Sequence, residues 1–343
     1  MKNFLKFFFA LLIIASAALC FLVVQPVFRV PEKQWLPAAD TVGTGVSPAV
    51  LEQHVRALSE EFHPRCYDHP ENLEAAAAYI EKWFKEAGGR VAVQPFPNDE
   101  LEYKNIVAEF GPENGPVLIV GAHYDSYGEN YYERSLYTPG ADDNASGVAG
   151  LLALADLLGA HPPAGRVLLV AYCLEEPPFF RTEHMGSAHH AAAVHAEKEE
   201  VLGMISLEML GYFSDEEDSQ LYPVRLMNLV YPSKGDFIGV VGRFQDMSLT
   251  RKVKAAMLGA SDLPVHSINA LPLVTGIDFS DHRNYWQYGY EAVMITNTAF
   301  YRNLAYHKEQ DTADRLDYRR MAEVVRGVFA AVMDLTGSAY LPQ

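Results

Sequence analysis

Cysteine is scarce, with three in 343 residues: Cys20, Cys66 and Cys173. Cys20 lies in an apolar N-terminal run. The other two do not make a disulfide framework; an oxidising compartment would let them pair, and two buried thiols is the other reading. Basic charge is also short. There are 27 Lys and Arg against 44 Asp and Glu, a net of -17. A surface of that sign repels phosphate backbones and excludes nucleic acid as the expected partner. It names no substrate, and its plain meaning is solubility. Internal repeats and low-complexity tracts are absent.

The N-terminus departs from the rest. Lys2 and Lys6 precede a charge-free run of 18 residues, Phe7 to Val24. A positive start and an apolar run direct a chain to the export machinery. Eighteen residues is the lower margin of a bilayer span. Ala15-Ser16-Ala17 offers a cleavage site, but the run continues through Val24, which favours an uncleaved anchor. Leu19 stands where a lipoprotein site has a small residue, so lipidation of Cys20 is disfavoured. Residues 1–30 are thus expected to be a signal or membrane anchor, 31–47 a tether and 48–343 one domain. That domain is expected to face the periplasm or cell exterior, touching the membrane through the N-terminal segment only, or to be secreted if the segment is cleaved. Oligomeric state has no signal.

Beyond Pro48 helical and strand patterns alternate. Helices are predicted over Pro48–Phe62, Asn72–Ala87, Ser146–Leu158, Gly186–Ala196, Leu249–Leu258 and Asp317–Leu335. Strands are predicted over Arg90–Phe96, Tyr103–Phe110, Val117–Val120, Arg166–Tyr172, Met204–Leu207, Asp236–Val241 and Ala292–Thr296. This order implies an α/β sandwich with a largely parallel central sheet. In such sheets ligands bind beyond the carboxyl ends of the strands. Three predicted strands end at His123, at Glu175-Glu176 and at Glu208.

The candidate polar groups are His123, Asp125, Asp142, Asp143, Glu175, Glu176, Glu208 and His307. Buried carboxylates need protons, cations or metal. Two histidines with several carboxylates suit zinc. In His123-Tyr124-Asp125, strand-like alternation lets Asp125 accept the second ring N–H of His123. In Glu175-Glu176, one acid can bind metal while the other faces a water as general base. The run Pro139 to Gly147 reads as a turn opening into a helix, where a carboxylate could bridge two metals. His189, His190 and His195 read as a solvated helix face. His63 and His69 flank Cys66 without a fourth ligand and read as a loop.

Six motifs in order resemble the co-catalytic zinc exopeptidases that include the bacterial secreted leucine aminopeptidases and glutamate carboxypeptidase. They are Gly121-Ala122-His123-Tyr124-Asp125, Gly140 to Gly147, Glu175-Glu176 with Gly186-Ser187, Glu208-Met209-Leu210-Gly211, Ser280-Asp281-His282, and Tyr306-His307 with Asp311-Thr312. The resemblance implies a three-layer α/β/α sandwich with a mostly parallel mixed sheet, two zinc ions per chain and a peptide substrate. It gives His123 and Glu208 to one zinc and Glu176 and His307 to the other. Asp142 would bridge them, with a cis bond to Asp143; taken by itself, Asp143 reads as structural rather than as a ligand. Glu175 would be the general base, Asp125 the partner of His123, and Tyr306 a donor to the oxyanion. Two departures stand out: Glu208 where the best-known members have Asp, and an insert from Pro177 to Met185. The expected activity is that of an exopeptidase, an aminopeptidase before a carboxypeptidase, with Arg134, Arg181, Arg283 and Arg302 as candidate clamps for a terminal carboxylate. A single-zinc glutaminyl cyclase on the same fold is the alternative.

Overall fold

The computed structural model describes residues 45–98, 101–128 and 137–338. The expected anchor, and the tether up to residue 44, lie outside the described residues. Among those described, no helix is long and apolar enough to cross a membrane. Ser47, the last tether residue, is already the N-cap of the first helix, its hydroxyl accepting from the Val50 amide at 3.4 Å.

In chain order the main elements are α1 (Pro48–Arg56), α2 (Pro70–Glu86), β1 (Arg90–Asn98), β2 (Leu101–Phe110), β3 (Val117–His123), α3 (Gly147–Ala160), β4 (Arg166–Tyr172), α4 (Gly186–Ala196), β5 (Val201–Glu208), β6 (Ile238–Gly242), α5 (Met247–Ala260), β7 (Val265–Asn269), α6 (His282–Trp286), β8 (Ala292–Thr296) and α7 (Tyr318–Leu335). The eight strands form one sheet in the order β1-β2-β4-β3-β5-β8-β6-β7. Strands β4, β3, β5 and β8 run parallel through its middle. β2 joins β4, and β6 joins β8, in antiparallel fashion. The sheet is therefore mixed, with a parallel centre and helices on both sides, as the motif resemblance implies.

Alternation along the central strands divides the core. Leu118, Val120 and Ala122 of β3 join Val167, Leu169 and Ala171 of β4 in one apolar cluster, with α1, α2, α3, α5 and α7. Val117, Ile119, Leu168, Val170 and Tyr172 face the other way, onto α4 and Tyr285 of α6. Period-two side-chain direction is what lets one strand feed both layers. Helix α3 is buried almost all round, as a helix in the middle layer contact must be. Gly121 has to be glycine: a Cβ there would lie 2.2 Å from the Tyr172 ring.

Two elements escaped the sequence pattern, β7 and α6. Each has only five residues, and neither forms the continuous buried run that made the equally short β6 and β8 legible.

Candidate metal centre

The parallel centre of the sheet creates the site. β3 ends on His123 and β5 on Glu208. β4 ends at Tyr172, and the chain then turns through Leu174 at φ 62° to present Glu175 and Glu176. Because β4, β3 and β5 are neighbours, the three ends lie side by side. Two loops complete the group, one before α3 carrying Asp143 and one carrying His307.

Two donor sets result: His123, Asp143 and Glu208, and Asp143, Glu176 and His307, the ligand atoms of each set lying within 4.8 Å of one another. His123 Nε2 is 3.5 Å from Asp143 Oδ1 and 3.5 Å from Glu208 Oε2. His307 Nε2 is 3.3 Å from Asp143 Oδ2 and 3.2 Å from Glu176 Oε2. One carboxylate thus faces both histidines.

That carboxylate is Asp143, which corrects the expected bridge at Asp142. The reason is local. The Asp142 carboxylate is saturated by donors from elsewhere: Gly211 N at 2.8 Å and Tyr212 N at 3.2 Å on Oδ1, Asn297 Nδ2 at 2.8 Å and Asn303 Nδ2 at 2.9 Å on Oδ2. It ties three loops together and turns away from the histidines. The cis bond also lies one residue later than expected, between Asp143 and Asn144. Gly140, at φ 60°, opens this turn, where a Cβ would lie 2.3 Å from the Asp143 carbonyl oxygen.

Around the donors runs a shell of buried groups. Asp125 Oδ1 and Oδ2 accept the amides of Glu175 and Glu176, each at 3.1 Å. His123 Nδ1 lies 3.1 Å from the Asp125 main-chain oxygen and 3.4 Å from its Oδ1. One carboxylate therefore orients both the histidine ring and the glutamate pair. Ser280 donates to Glu208 Oε2 at 2.7 Å. The rings of Tyr306 and Tyr127 stack on His307 at 3.8 and 4.0 Å, interplanar 17° and 18°, so the imidazole is held between them. The structure gives Tyr306 this clamping position and a place in the wall of the adjoining cavity.

Several supporting residues were given no role in the sequence reading. Asp311 accepts the amides of Asp142 (3.1 Å) and Asp143 (3.0 Å); only its place in a quoted motif hinted at it. Arg65 is fully buried and donates to the carbonyls of Leu58, Tyr124, Pro139 and Gly140. Burial lowers its guanidinium to about 10, still charged at neutral pH. It locks the loop before Asp142 to the end of β3, and no spacing rule announces such a residue. Asn144 links β5 to α3 by donating to Leu207 O and accepting from Gly147 N and Met209 N.

Other candidates are not brought in. His190 is buried against Tyr285, its Nδ1 2.6 Å from the hydroxyl, rather than on a solvated face. His189 stacks on Phe96 and His195 on Tyr288. His282 bonds the Ile277 carbonyl at 2.8 Å. Cys66 and Cys173 are free, buried thiols. Cys66, Asp68 and His69 lie together, but Asp68 is exposed and no fourth ligand joins them among the described residues. Arg302 is committed to Gln220 Oε1 and Phe237 O, and Arg134 lies outside the described residues.

The electrostatics fit a cation. Burial pushes the carboxyls of Glu175, Glu176 and Glu208 above the usual range; Glu176 and Glu208 add to it at Glu175, and Asp143 adds to it at Glu176 and Glu208, while His123 and His307 oppose it. Burial also works against His123 and His307, yet the surrounding carboxylates hold both rings well above the ordinary histidine value. Glu176 Oε1 and His307 Nε2 are buried without a hydrogen bond. Buried acids in this density call for compensating positive charge, and a donor set of imidazole and carboxylate suits zinc.

Beside the centre opens an apolar cavity of about 830 Å³ including its mouth, lined by Tyr222, Met227, Phe279, Phe300 and Tyr306, with Glu208 in its wall.

A mixed sheet of this order, with histidine and carboxylate side chains gathered at its central strand ends, fits a metallohydrolase of the zinc-exopeptidase class. The chain belongs to peptidase family M28, which it matches over residues 105–332. It is 51% identical over 308 residues to the uncharacterized protein YfbL of Escherichia coli K12, covering 90% of this chain and 94% of that one. Among solved structures it is similar to BSAP, a zinc aminopeptidase from Bacillus subtilis, with a TM-score of 0.64 at 15% identity over 84% of this chain and 95% of that one. A glutaminyl cyclase from Bacteroides thetaiotaomicron matches with a TM-score of 0.64 at 17% identity, over 84% and 98%.

Proposed function

We propose that this chain is a zinc-dependent aminopeptidase with two zinc ions. One observation carries the reading: Asp143 stands between two histidines, each of which has its own second carboxylate, Glu208 or Glu176. A shared carboxylate with two complete flanking sets suits two metals, and so favours the peptidase over a single-zinc cyclase. His123, Asp143 and Glu208 would hold one ion, and Asp143, Glu176 and His307 the other. When bound, zinc supplies Lewis acidity and a water that ionises near neutral pH.

The rest is done by side chains. Glu175 sits beside the His123 set, its Oε2 4.0 Å from His123 Nε2. Its chemistry is to take the proton of the attacking water and return it to the leaving amine. Asp125 keeps the glutamate pair and His123 in register. Tyr306 offers a hydroxyl to the oxyanion from the cavity wall. The apolar cavity suits the side chain of an apolar N-terminal residue, and the carboxylates of the adjoining metal centre suit a free α-ammonium. The similarity in fold to a zinc aminopeptidase supports the same reading. Lys2, Lys6 and the apolar run after them support export, with the domain outside the cytoplasm.

The test is Glu175→Gln. Hydrolysis of leucyl reporter substrates should fall roughly 10²–10⁴-fold, the usual weight of a general base, while two zincs per chain are retained. Wild-type turnover in that variant would remove Glu175 from the role. One zinc per chain with pyroglutamate formation would replace the peptidase with the cyclase.

A further inference from the structure

Two cavities of opposite character lie near the metal centre, and the insert that follows Glu176 lines one of them. The apolar one reaches Phe279. The other is polar, lined by Arg181, Glu183, His184, His189, Asn284 and Gln287. Arg181 lines the polar cavity and packs on Phe279, which lines the apolar one. Its Cζ lies 4.7 Å from the centre of the Phe279 ring and 5.4 Å from that of Phe180, and its Nη2 donates to Asp278 Oδ1 at 2.5 Å. Arg283 approaches the same carboxylate, its Nε 3.7 Å from Asp278 Oδ2. That Nε is buried and makes no hydrogen bond.

Two guanidiniums therefore share one carboxylate, in a chain whose net charge is -17. The spot is tied to the metal centre on both sides. Arg181 is five residues past Glu176. Ser280, three residues before Arg283, donates to Glu208 at 2.7 Å. The Glu175 carboxylate is one of the charges that favour the ionised form of Arg283, against the burial that lowers it. The aromatic faces of Phe180 and Phe279 fix the plane of the Arg181 fork, as suits carboxylate recognition. The Arg283 Nε, ion-paired with Asp278 at 3.7 Å, makes no close hydrogen bond of its own.

We infer that Arg181 and Arg283 form a subsite for a carboxylate on the residue following the scissile bond, which selects dipeptides or an acidic residue at that position. The inference rests on the aminopeptidase reading, in which the apolar cavity takes the residue before that bond. It adds a cation that the reading does not require.

The experiment compares four substrates on the zinc-loaded full chain: Leu-Leu, Leu-Leu-amide, Leu-Glu-amide and Leu-Gln-amide. The expected result is a kcat/KM ratio of roughly tenfold or more for one acid over its amide partner, carried by KM, as a charge-assisted contact gives. Preference for Leu-Leu identifies the C-terminal carboxylate, and preference for Leu-Glu-amide identifies the acidic side chain. The ratio should collapse in Arg283→Gln and fall in Arg181→Gln. Arg181, its side chain 42% exposed, can be replaced without loss of the fold. Ratios near one in the wild type, or unchanged in both variants, overturn the subsite alone. No hydrolysis of any of the four overturns the peptidase reading with it.

Discussion

The two halves of the metal centre share Asp143 but are built from different material. His123 and Glu208 are the closing residues of β3 and β5. The His123 side chain is 1% exposed, and Glu208 is held by Ser280, which in turn contacts Ser206 within β5. His307 comes from a loop, at φ 58°, and its side chain is 22% exposed. No strand hydrogen bond fixes it; the faces of Tyr127 and Tyr306 do. Ligands on a sheet open only with the sheet, whereas loop contacts open locally at smaller free energy. The centre thus has a fixed half and an adjustable half, and the adjustable one is the half that can differ in metal affinity.

Substitution of the residue common to both halves should have the largest effect. Asp143→Asn is expected to cost both sites, with zinc per chain dropping below one by metal analysis. Hydrolysis should fall by more than the 10–100-fold typical of a lost outer partner. Asp142→Asn, one residue away, should act differently. It places an amide group against four donors, so stability should fall by about 3 kcal/mol, as expected when buried donors lose their acceptor. Urea unfolding measures it. Zinc stripped by Asp142→Asn and kept by Asp143→Asn would reverse the assignment.

That pair shows what was legible in the sequence. The fold was, because long buried strands and amphipathic helices write periods into the chain. So were His123, Glu175-Glu176 and Glu208, because a parallel sheet gathers its strand ends. The choice between Asp142 and Asp143 was not. It depends on which way a turn faces, and that is set by Gly211, Asn297 and Asn303, from 69 to 161 residues away. Arg65 was hidden for the same reason. Its partners are main-chain carbonyls, which carry no residue identity.

The fixed half also rests on a titratable layer. Tyr172, the last residue of β4, contacts Tyr285, which contacts His190. Burial lowers the His190 imidazole from 6.5 to about 4. At pH 5 the unfolded chain binds this proton and the folded chain does not, so stability falls as pH drops from 6.5 toward 4. The loss at pH 5 should be about 2 kcal/mol from this residue. His190→Gln should flatten that part of the pH profile of zinc-loaded protein in urea titrations. An unchanged slope would place the acid sensitivity elsewhere.

The finest test separates the halves without touching a ligand. Tyr127→Ala removes one face of the His307 clamp and leaves His123, Glu208 and Asp143 in place. Affinity at the His307 side should drop about tenfold, the lower end for loss of an outer partner, while the other ion stays bound. Titration against a competing chelator resolves the two as separate steps. Tyr127→Phe keeps the ring, and should restore the tighter value if stacking is the cause. Equal weakening of both ions by Tyr127→Ala would mean that Asp143 couples the halves so strongly that neither is fixed without the other. Zinc would then bind as a cooperative pair, and the loop-borne histidine would matter as much to the strand-borne site as Glu208 does.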